Sequence, residues 1–185
     1  MSHPHDAPTM TGNPSVTSTF AALPAEDHPS AWEHLWATSL TPWDRAGPSP
    51  PLADVLASRP DLFPPRPDGE RKTALVPGCG RGHDVLLLSS FGYDVVGVDL
   101  AETAVREARE NQRQVNMEEV YPLRDGVRER GKVTFVAADF FEDGFLKEAG
   151  VQNYDLIFDF TVRLNPPRFL KITQTHIRMW RLVFS

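Results

Sequence analysis

The chain has 185 residues, 41% of them hydrophobic and 24% charged, a composition that suits one globular domain and excludes fibrous and wholly disordered proteins. Its 19 Lys and Arg residues against 25 Asp and Glu residues give a net charge of −6, which argues against nucleic acid as a partner and favours a small-molecule ligand. A single cysteine excludes an internal disulfide, and no Cys/His spacing matches a metal site. With neither a leader nor a membrane-spanning run predicted, we expect a cytoplasmic protein without a metal or a membrane partner.

The N-terminal region divides into a tail and an arm. Residues 1–27 are rich in Pro, Ser, Thr, His and Ala and are predicted to be disordered. Residues 28–70 are predicted to form a helical arm, in which Ser30 and Glu33 have the spacing of a helix capping box. We therefore expect the first helix of the arm to begin at Ser30.

From Thr73 onward, short apolar runs alternate with amphipathic stretches. The runs predict strands at 73–77, 93–99, 132–137 and 154–159, with helices at 83–91 and 102–116. This alternation is typical of an α/β fold, in which a doubly wound parallel sheet has helices on both faces.

A glycine-rich loop lies between the first predicted strand and the helix that follows it. Its glycines, Gly78, Gly80 and Gly82, have the spacing G-x-G-x-G rather than the G-x-G-x-x-G of dinucleotide-binding dehydrogenases. Asp99 ends the second strand, where an acidic residue accepts hydrogen bonds from ribose hydroxyls, and Asp139 follows the third strand at the same edge, where it could read an adenine. The spacing favours S-adenosylmethionine over NAD, and an NAD-dependent dehydrogenase is the weaker alternative.

Several segments together resemble one family, the thiol/halide methyltransferase branch of the thiopurine S-methyltransferase family. The resemblance covers roughly residues 30 to 161 and depends on the order and spacing of the motifs as well as on their residues. The matching segments are Trp32–Trp36, Thr41–Asp44, Ala74–Asp84, Val95–Leu100, Asp139–Phe141 and Tyr154–Thr161.

This resemblance implies a Rossmann-like class I methyltransferase whose residues 71–161 form the core that binds S-adenosylmethionine. It implies S-methylation of a small thiol or a halide, with no nucleic acid or membrane involved, by a protein that is monomeric when complete. It also implies that the arm's tryptophans close over the methionine part of the cofactor. No catalytic residue is indicated, because in-line displacement by a soft nucleophile needs alignment rather than a base. The expected cofactor-binding residues are Trp32, Trp36, Trp43, Gly78, Gly80, Gly82, Asp99, Asp139, Phe140 and Phe160.

The resemblance stops after Thr161. From Phe160 onward the chain has five basic residues and no acidic one, so residues 162–185 are interpreted as an atypical basic tail. We expect a chain that is truncated or mis-spliced, with the second half of the sheet missing or replaced and the fourth strand left as an open edge. The alternative to an active methyltransferase is a catalytically inactive fragment that binds at most the cofactor or a partner chain.

Overall fold

The computed structural model describes residue 20 and residues 23–66, 68–142, 144–151, 153–159 and 177–183. In these ranges the helices are α1 (His28–Ala37), α2 (Pro50–Ser58), α3 (His83–Ser90), α4 (Glu102–Gln114), α5 (Met117–Val120) and α6 (Gly144–Ala149). The strands are β1 (Thr73–Pro77), β2 (Asp94–Asp99), β3 (Val133–Ala137), β4 (Tyr154–Asp159) and β5 (Ile177–Val183). Short 3-10 turns lie at Ala25–Asp27 and Pro60–Leu62. Among the described helices, none is both long and apolar enough to cross a membrane.

The strands form one parallel sheet in the order β3-β2-β1-β4-β5, which confirms the predicted α/β class. Parallel neighbours bring the carboxyl ends of β1, β2 and β3 to one edge of the sheet, where ligands of such folds bind.

The fifth strand differs from the sequence prediction, which left β4 as an open edge. Ile177–Val183 pairs in parallel with β4, in a register that places Leu156 opposite Trp180 and Phe158 opposite Leu182. All six residues of β4 are buried, so its backbone N–H and C=O groups need partners on both sides, and β5 supplies them on the side away from β1. Residues 160–176, which join the two strands, lie outside the described part.

Two apolar clusters lie on opposite faces of the sheet, as the alternation of side chains along β1 illustrates. Ala74 and Val76 pack with α2, α3 and α4, whereas Leu75 belongs to the cluster that includes α6. Each face is therefore covered by helices, as a doubly wound sheet requires.

The first helix of the arm begins two residues earlier than predicted, and the expected capping box is absent. Asp27 is the N-cap residue of α1, and Pro29, which lacks an N–H, occupies the first turn, where that donor would have no partner. The Ser30 hydroxyl instead donates to the Asp27 carbonyl oxygen over 2.9 Å, and Glu33 contacts a different helix.

Most of the predicted disordered tail, namely residues 1–19, 21 and 22, lies outside the described residues. The described part has defined structure: Ala25–Asp27 forms a 3-10 turn, and the Phe20 ring stacks on Trp32 with a centroid separation of 4.3 Å. Phe20, which lies in the predicted tail, therefore packs on the arm, so ordered contacts extend to the N-terminal side of the predicted boundary between tail and arm.

Candidate cofactor site

The glycine-rich loop, residues 78–82, connects the carboxyl end of β1 to the first turn of α3. Gly78, Gly80 and Gly82 all have positive φ values, 60°, 50° and 75°, which L side chains rarely adopt. The Cys79 N–H donates to the Val98 carbonyl oxygen over 3.1 Å, so the loop is fixed to the end of β2. The loop therefore passes the sheet edge in a conformation that its glycines make possible.

The three glycines are required for different reasons. A Cβ at Gly82 would come within 2.6 Å of the Phe135 ring, and one at Gly80 would lie 3.3 Å from the Trp36 ring. Gly78, by contrast, is exposed at the end of the strand. Packing alone therefore explains the absence of side chains at Gly80 and Gly82, whereas the exposed backbone at Gly78 is open to a ligand.

Asp99 connects the loop to the helix after β2. Its carboxylate accepts hydrogen bonds from the Gly80 N–H over 2.9 Å and from the Ala101 N–H over 3.0 Å. Burial raises the pKa of Asp99, and the backbone donors oppose that shift. Two carboxylate oxygens offer about four acceptor positions, so capacity for ribose hydroxyls remains beyond these two bonds.

Asp139 and Phe140 follow β3 at the same edge. The Ala138 N–H donates to the Asp99 carbonyl oxygen over 2.9 Å, which keeps the two strand ends adjacent. The Asp139 carboxylate accepts from the Phe141 N–H over 2.8 Å. The Phe140 ring is only 6% exposed and packs against Phe145, so this residue could reach a ligand at the edge through its backbone rather than its ring.

Trp36 of the arm lies beside the glycine-rich loop, and two further tryptophans of the arm pack against the cluster that contains Trp36. Trp36 is 3% exposed and packs with Ala101 and Ala104, while Trp32 and Trp43 are partly exposed beside it. The Trp43 ring meets those of Trp32 and Trp36 edge to face, with centroids 5.3 Å and 6.1 Å apart. The remaining residue of the predicted site, Phe160, lies outside the described residues.

Two of the polar contacts between the arm and the core lie near the tryptophans, and neither was predicted from the sequence. Glu33 accepts a hydrogen bond from the Thr103 N–H over 3.0 Å in the first turn of α4. It also accepts one from the Thr103 hydroxyl, and this second bond is the main reason that the pKa of Glu33 is lowered. Arg81 of the loop pairs with Asp44 of the arm and, over 2.8 Å, with Glu107 of α4. These contacts join residues that are 26 to 70 positions apart, so they leave no local pattern in the sequence. The position of Asp44 directly after Trp43 was the one sign that its carboxylate could lie near the predicted site.

The polar residues at the start of α3 have separate partners. His83 Nδ1 lies 2.7 Å from the Tyr121 hydroxyl, whereas the Asp84 carboxylate accepts from the Ser49 N–H over 2.7 Å and so attaches α2 to α3. Burial lowers the pKa of His83 and raises that of Asp84 to about 6. Burial also raises the pKa of the Cys79 thiol, which favours the unreactive protonated form. The geometry thus supports a structural interpretation of all three groups.

These residues fit S-adenosylmethionine on observed features. Gly78 exposes backbone at the strand end, and Asp99 retains acceptor positions for ribose hydroxyls. Trp36 packs against the loop, and Trp32 and Trp43 are partly exposed in the same cluster, where an aromatic face that is not already stacked can attract a sulfonium cation. Among the described residues no cluster of His, Cys, Asp and Glu could hold a metal ion, and no feature of the edge calls for one.

The sheet order, the glycine-rich loop and Asp99 define the class I fold of S-adenosylmethionine-dependent methyltransferases. Solved structures support the fold. A structure described as the conversion of a disulfide bond into a thioacetal group during echinomycin biosynthesis has a TM-score of 0.55 and 18% identity, over 84% of this chain and 58% of that one. A phosphoethanolamine N-methyltransferase of Haemonchus contortus, in complex with phosphoethanolamine and S-adenosylhomocysteine, has a TM-score of 0.54 and 15% identity, over 89% and 33%.

Residues 27–168 match the sequence profile of the thiopurine S-methyltransferase (TPMT) family, and the chain belongs to this family. Among its relatives, a probable thiol methyltransferase 2 of Arabidopsis thaliana is 30% identical over 147 residues, covering 80% of this chain and 54% of that protein. A thiocyanate methyltransferase 1 of Brassica oleracea is 36% identical over 141 residues, covering 76% and 51%. The chain spans about half the length of these curated relatives.

Proposed function

We propose that the edge formed by the glycine-rich loop, Asp99 and the arm binds S-adenosylmethionine for S-methylation of a small thiol or for methylation of a halide. The observation that carries the proposal is that residues distant in sequence converge there: Trp36 lies against Gly80, and Asp99 accepts a hydrogen bond from the same glycine. In this proposal, residues 28–70 form the cofactor-covering arm and residues 71–161 the core, to which the basic segment 162–185 adds strand β5.

Each group of residues has a distinct role in holding the cofactor. The tryptophans attract the sulfonium through their aromatic faces without hydrogen bonding to it, which leaves the methyl group free for transfer. Asp99 accepts hydrogen bonds from ribose hydroxyls, the Asp139 carboxylate and the backbone at Phe140 contact the adenine, and Gly78 allows close approach. The proposed cofactor-binding residues are Trp32, Trp36, Trp43, Gly78, Gly80, Gly82, Asp99, Asp139, Phe140 and Phe160.

The proposed reaction needs alignment and the exclusion of water rather than a general base. S-adenosylmethionine supplies a methyl group on a cationic sulfur, which a thiolate or halide can displace in line. In this proposal the arm excludes water from this position, because the Trp36 ring packs against Gly80 of the loop. A small, soft acceptor also agrees with the names of the relatives, which are thiol and thiocyanate methyltransferases.

The acceptor class is tested by transfer of labelled methyl from S-adenosylmethionine to hydrosulfide, thiocyanate and iodide, with phosphoethanolamine as a nitrogen-containing control. We expect any transfer to be confined to the sulfur and halide acceptors. Transfer to phosphoethanolamine would contradict the proposal. Intact cofactor binding without transfer to any acceptor would favour the inactive fragment. A monomeric protein acting in the cytoplasm on small molecules, without nucleic acid, remains the expectation from the sequence.

A further inference from the structure

A charged triad, Asp44, Arg81 and Glu107, lies beside the glycine-rich loop. Arg81 is the residue between the second and third glycines, and its guanidinium pairs with Asp44 of the arm and with Glu107 of α4. The side chains are 34%, 11% and 28% exposed for Arg81, Asp44 and Glu107, so all three are partly shielded from water. The triad carries one positive and two negative charges and hence a net charge of −1.

The position of Arg81 is fixed on both its backbone and its side chain. The Asn111 side-chain amide donates to the Arg81 carbonyl oxygen over 2.9 Å, and Arg81 Nε donates to Glu107 over 2.8 Å. The pKa of Arg81 is raised, first by its hydrogen bond with Glu107, so its charge is constant across the physiological range. A fixed charge so close to a ligand site acts on any charged ligand there.

The triad is adjacent to the aromatic residues proposed to hold the sulfonium. The guanidinium carbon of Arg81 lies over the Trp36 ring, 5.9 Å from its centroid, and this ring packs against Gly80. Asp44 directly follows Trp43, which meets Trp36 edge to face. The triad therefore lies next to the tryptophan cluster, where its charges are only partly screened by solvent.

We propose that Arg81 is a specificity-determining residue that sets the preference of this site for the cationic cofactor over its neutral product. The inference rests on the proposed function, because it concerns the discrimination of S-adenosylmethionine from S-adenosylhomocysteine. Asp44 and Glu107 attract the sulfonium, and Arg81 opposes part of that attraction, so the triad sets how far the affinity for the cofactor exceeds the affinity for the product. S-adenosylhomocysteine has a neutral thioether at this position and lacks this electrostatic contribution.

A purely structural role for Arg81 makes a different prediction. Arg81 also ties the arm to the core, and loss of that tie would weaken the binding of both ligands by the same factor. Both ligands carry the same amino and carboxylate groups, so a charge effect on the sulfonium changes the ratio of the two affinities, and opposite charge changes shift that ratio in opposite directions. The ratio of the two dissociation constants therefore separates the electrostatic role from the structural one.

The test is calorimetric titration of the full chain with S-adenosylmethionine and, separately, with S-adenosylhomocysteine, in the wild type and in Arg81→Gln and Glu107→Gln. Partly solvated unit charges near a ligand site change its binding constant for a cation by about threefold to tenfold, because solvent and salt screen them. We expect Arg81→Gln to shift the ratio by about this factor in favour of S-adenosylmethionine and Glu107→Gln to shift it the opposite way. High salt should reduce both shifts.

Two controls isolate the charge. Arg81→Lys keeps the positive charge, so the wild-type ratio should be retained, and Arg113→Gln removes an exposed arginine of α4 that pairs with Glu110. A cooperative urea unfolding transition shows that each variant is folded. If Arg81→Gln does not fold, Glu107→Gln still tests the inference, because it keeps the ion pair between Asp44 and Arg81. Equal weakening of both ligands, or shifts of the same sign in both Gln variants, would overturn the inference and leave the proposed function intact. If the wild type binds neither ligand, both fail.

Discussion

At the scale of single residues, the glycine-rich loop shows how one motif combines packing and binding. The sequence predicted all three glycines as cofactor-binding residues, but the space that a Cβ would take is filled at Gly82 by Phe135 and at Gly80 by Trp36. The motif itself was predictable, because its spacing is local. The residues that fill the space are 44 or more positions away and could not be read from the sequence.

Gly82→Ala is expected to destabilise the fold strongly. The substitution forces a side chain into a φ of 75° and brings its Cβ to 2.6 Å from the Phe135 ring. Left-handed strain of about 1–2 kcal/mol adds to an overpacking penalty of about 1–3 kcal/mol. Urea unfolding should show a loss of roughly 2–5 kcal/mol.

Gly126→Ala is the matched control, because Gly126 has a φ of 82° but no atom within 4 Å of the added Cβ. It should lose only the conformational contribution, about 1–2 kcal/mol. Equal losses in the two variants would show that Phe135 yields and that packing does not determine the need for Gly82.

Asp84 predicts a pH-dependent contribution to stability. Burial raises its pKa from 3.8 to about 6 in the folded state, so the folded protein binds the proton more tightly than the unfolded chain. The contribution of this group to the free energy of unfolding therefore rises as the pH falls from about 7 towards 4. The free energy of unfolding of Asp84→Asn relative to that of the wild type should therefore be about 1 kcal/mol higher at pH 7 than at pH 5.

The measurement is urea unfolding of both proteins at the two pH values. The amide oxygen that the substitution introduces can still accept the Ser49 N–H, so the tie between α2 and α3 is retained. The difference between the free energies of unfolding of the two proteins removes the contribution of all other titrating groups. A difference that does not change with pH, or that grows towards pH 5, would contradict the burial of an ionised Asp84.

At the scale of elements, α4 is capped by a residue from the arm. Ala101, its N-cap residue, has no side chain that can accept a hydrogen bond, and Glu33 of α1 supplies the carboxylate instead, at the positive end of the helix dipole. This contact explains why the predicted capping box with Ser30 is absent. Glu33 caps a helix that begins 69 residues later in the sequence rather than its own.

Glu33→Gln should loosen the arm and fray the first turn of α4. Replacing the charged acceptor removes an interaction of about 1 kcal/mol and raises the exchange rate of the Thr103 amide hydrogen. Hydrogen exchange at that amide, together with urea unfolding, measures both effects.

The control is Glu26→Gln, which changes an exposed carboxylate in the turn before α1, the helix that contains Glu33. It should leave the Thr103 amide unchanged. If Glu33→Gln also leaves that exchange rate unchanged, the arm does not cap α4 through this carboxylate.

The elements predicted from the sequence were those with a strong local pattern. Strands β1 to β4 lie within one residue of their predicted bounds, because apolar runs buried on both faces are distinct from their surroundings. Helices α5 and α6 have four and six residues, too few to show a period. Strand β5 was missed because two arginines interrupt the apolar run Ile177–Val183.

At the scale of the whole molecule, the arm and the sheet edge form one unit. Glu33, Asp44 and Ser49 each contact a residue of the core, near the tryptophans or at the start of α3. Their partners are Thr103, Arg81 and Asp84, which belong to the loop and to the two helices beside it. Cofactor binding and arm position are thereby expected to be coupled.

The central claim, that this edge is a site for S-adenosylmethionine and related adenosyl ligands, is tested most directly by calorimetric titration of the full chain with S-adenosylhomocysteine and with NAD. We expect one S-adenosylhomocysteine bound per chain, no binding of NAD, and a loss of about tenfold to hundredfold in affinity in Asp99→Ala, because hydrogen bonds to a charged group contribute about 1.5–3 kcal/mol. Asp125→Ala, at an exposed carboxylate on the opposite edge, should bind like the wild type. Binding of NAD without S-adenosylhomocysteine, or an unchanged affinity in Asp99→Ala, would contradict the account.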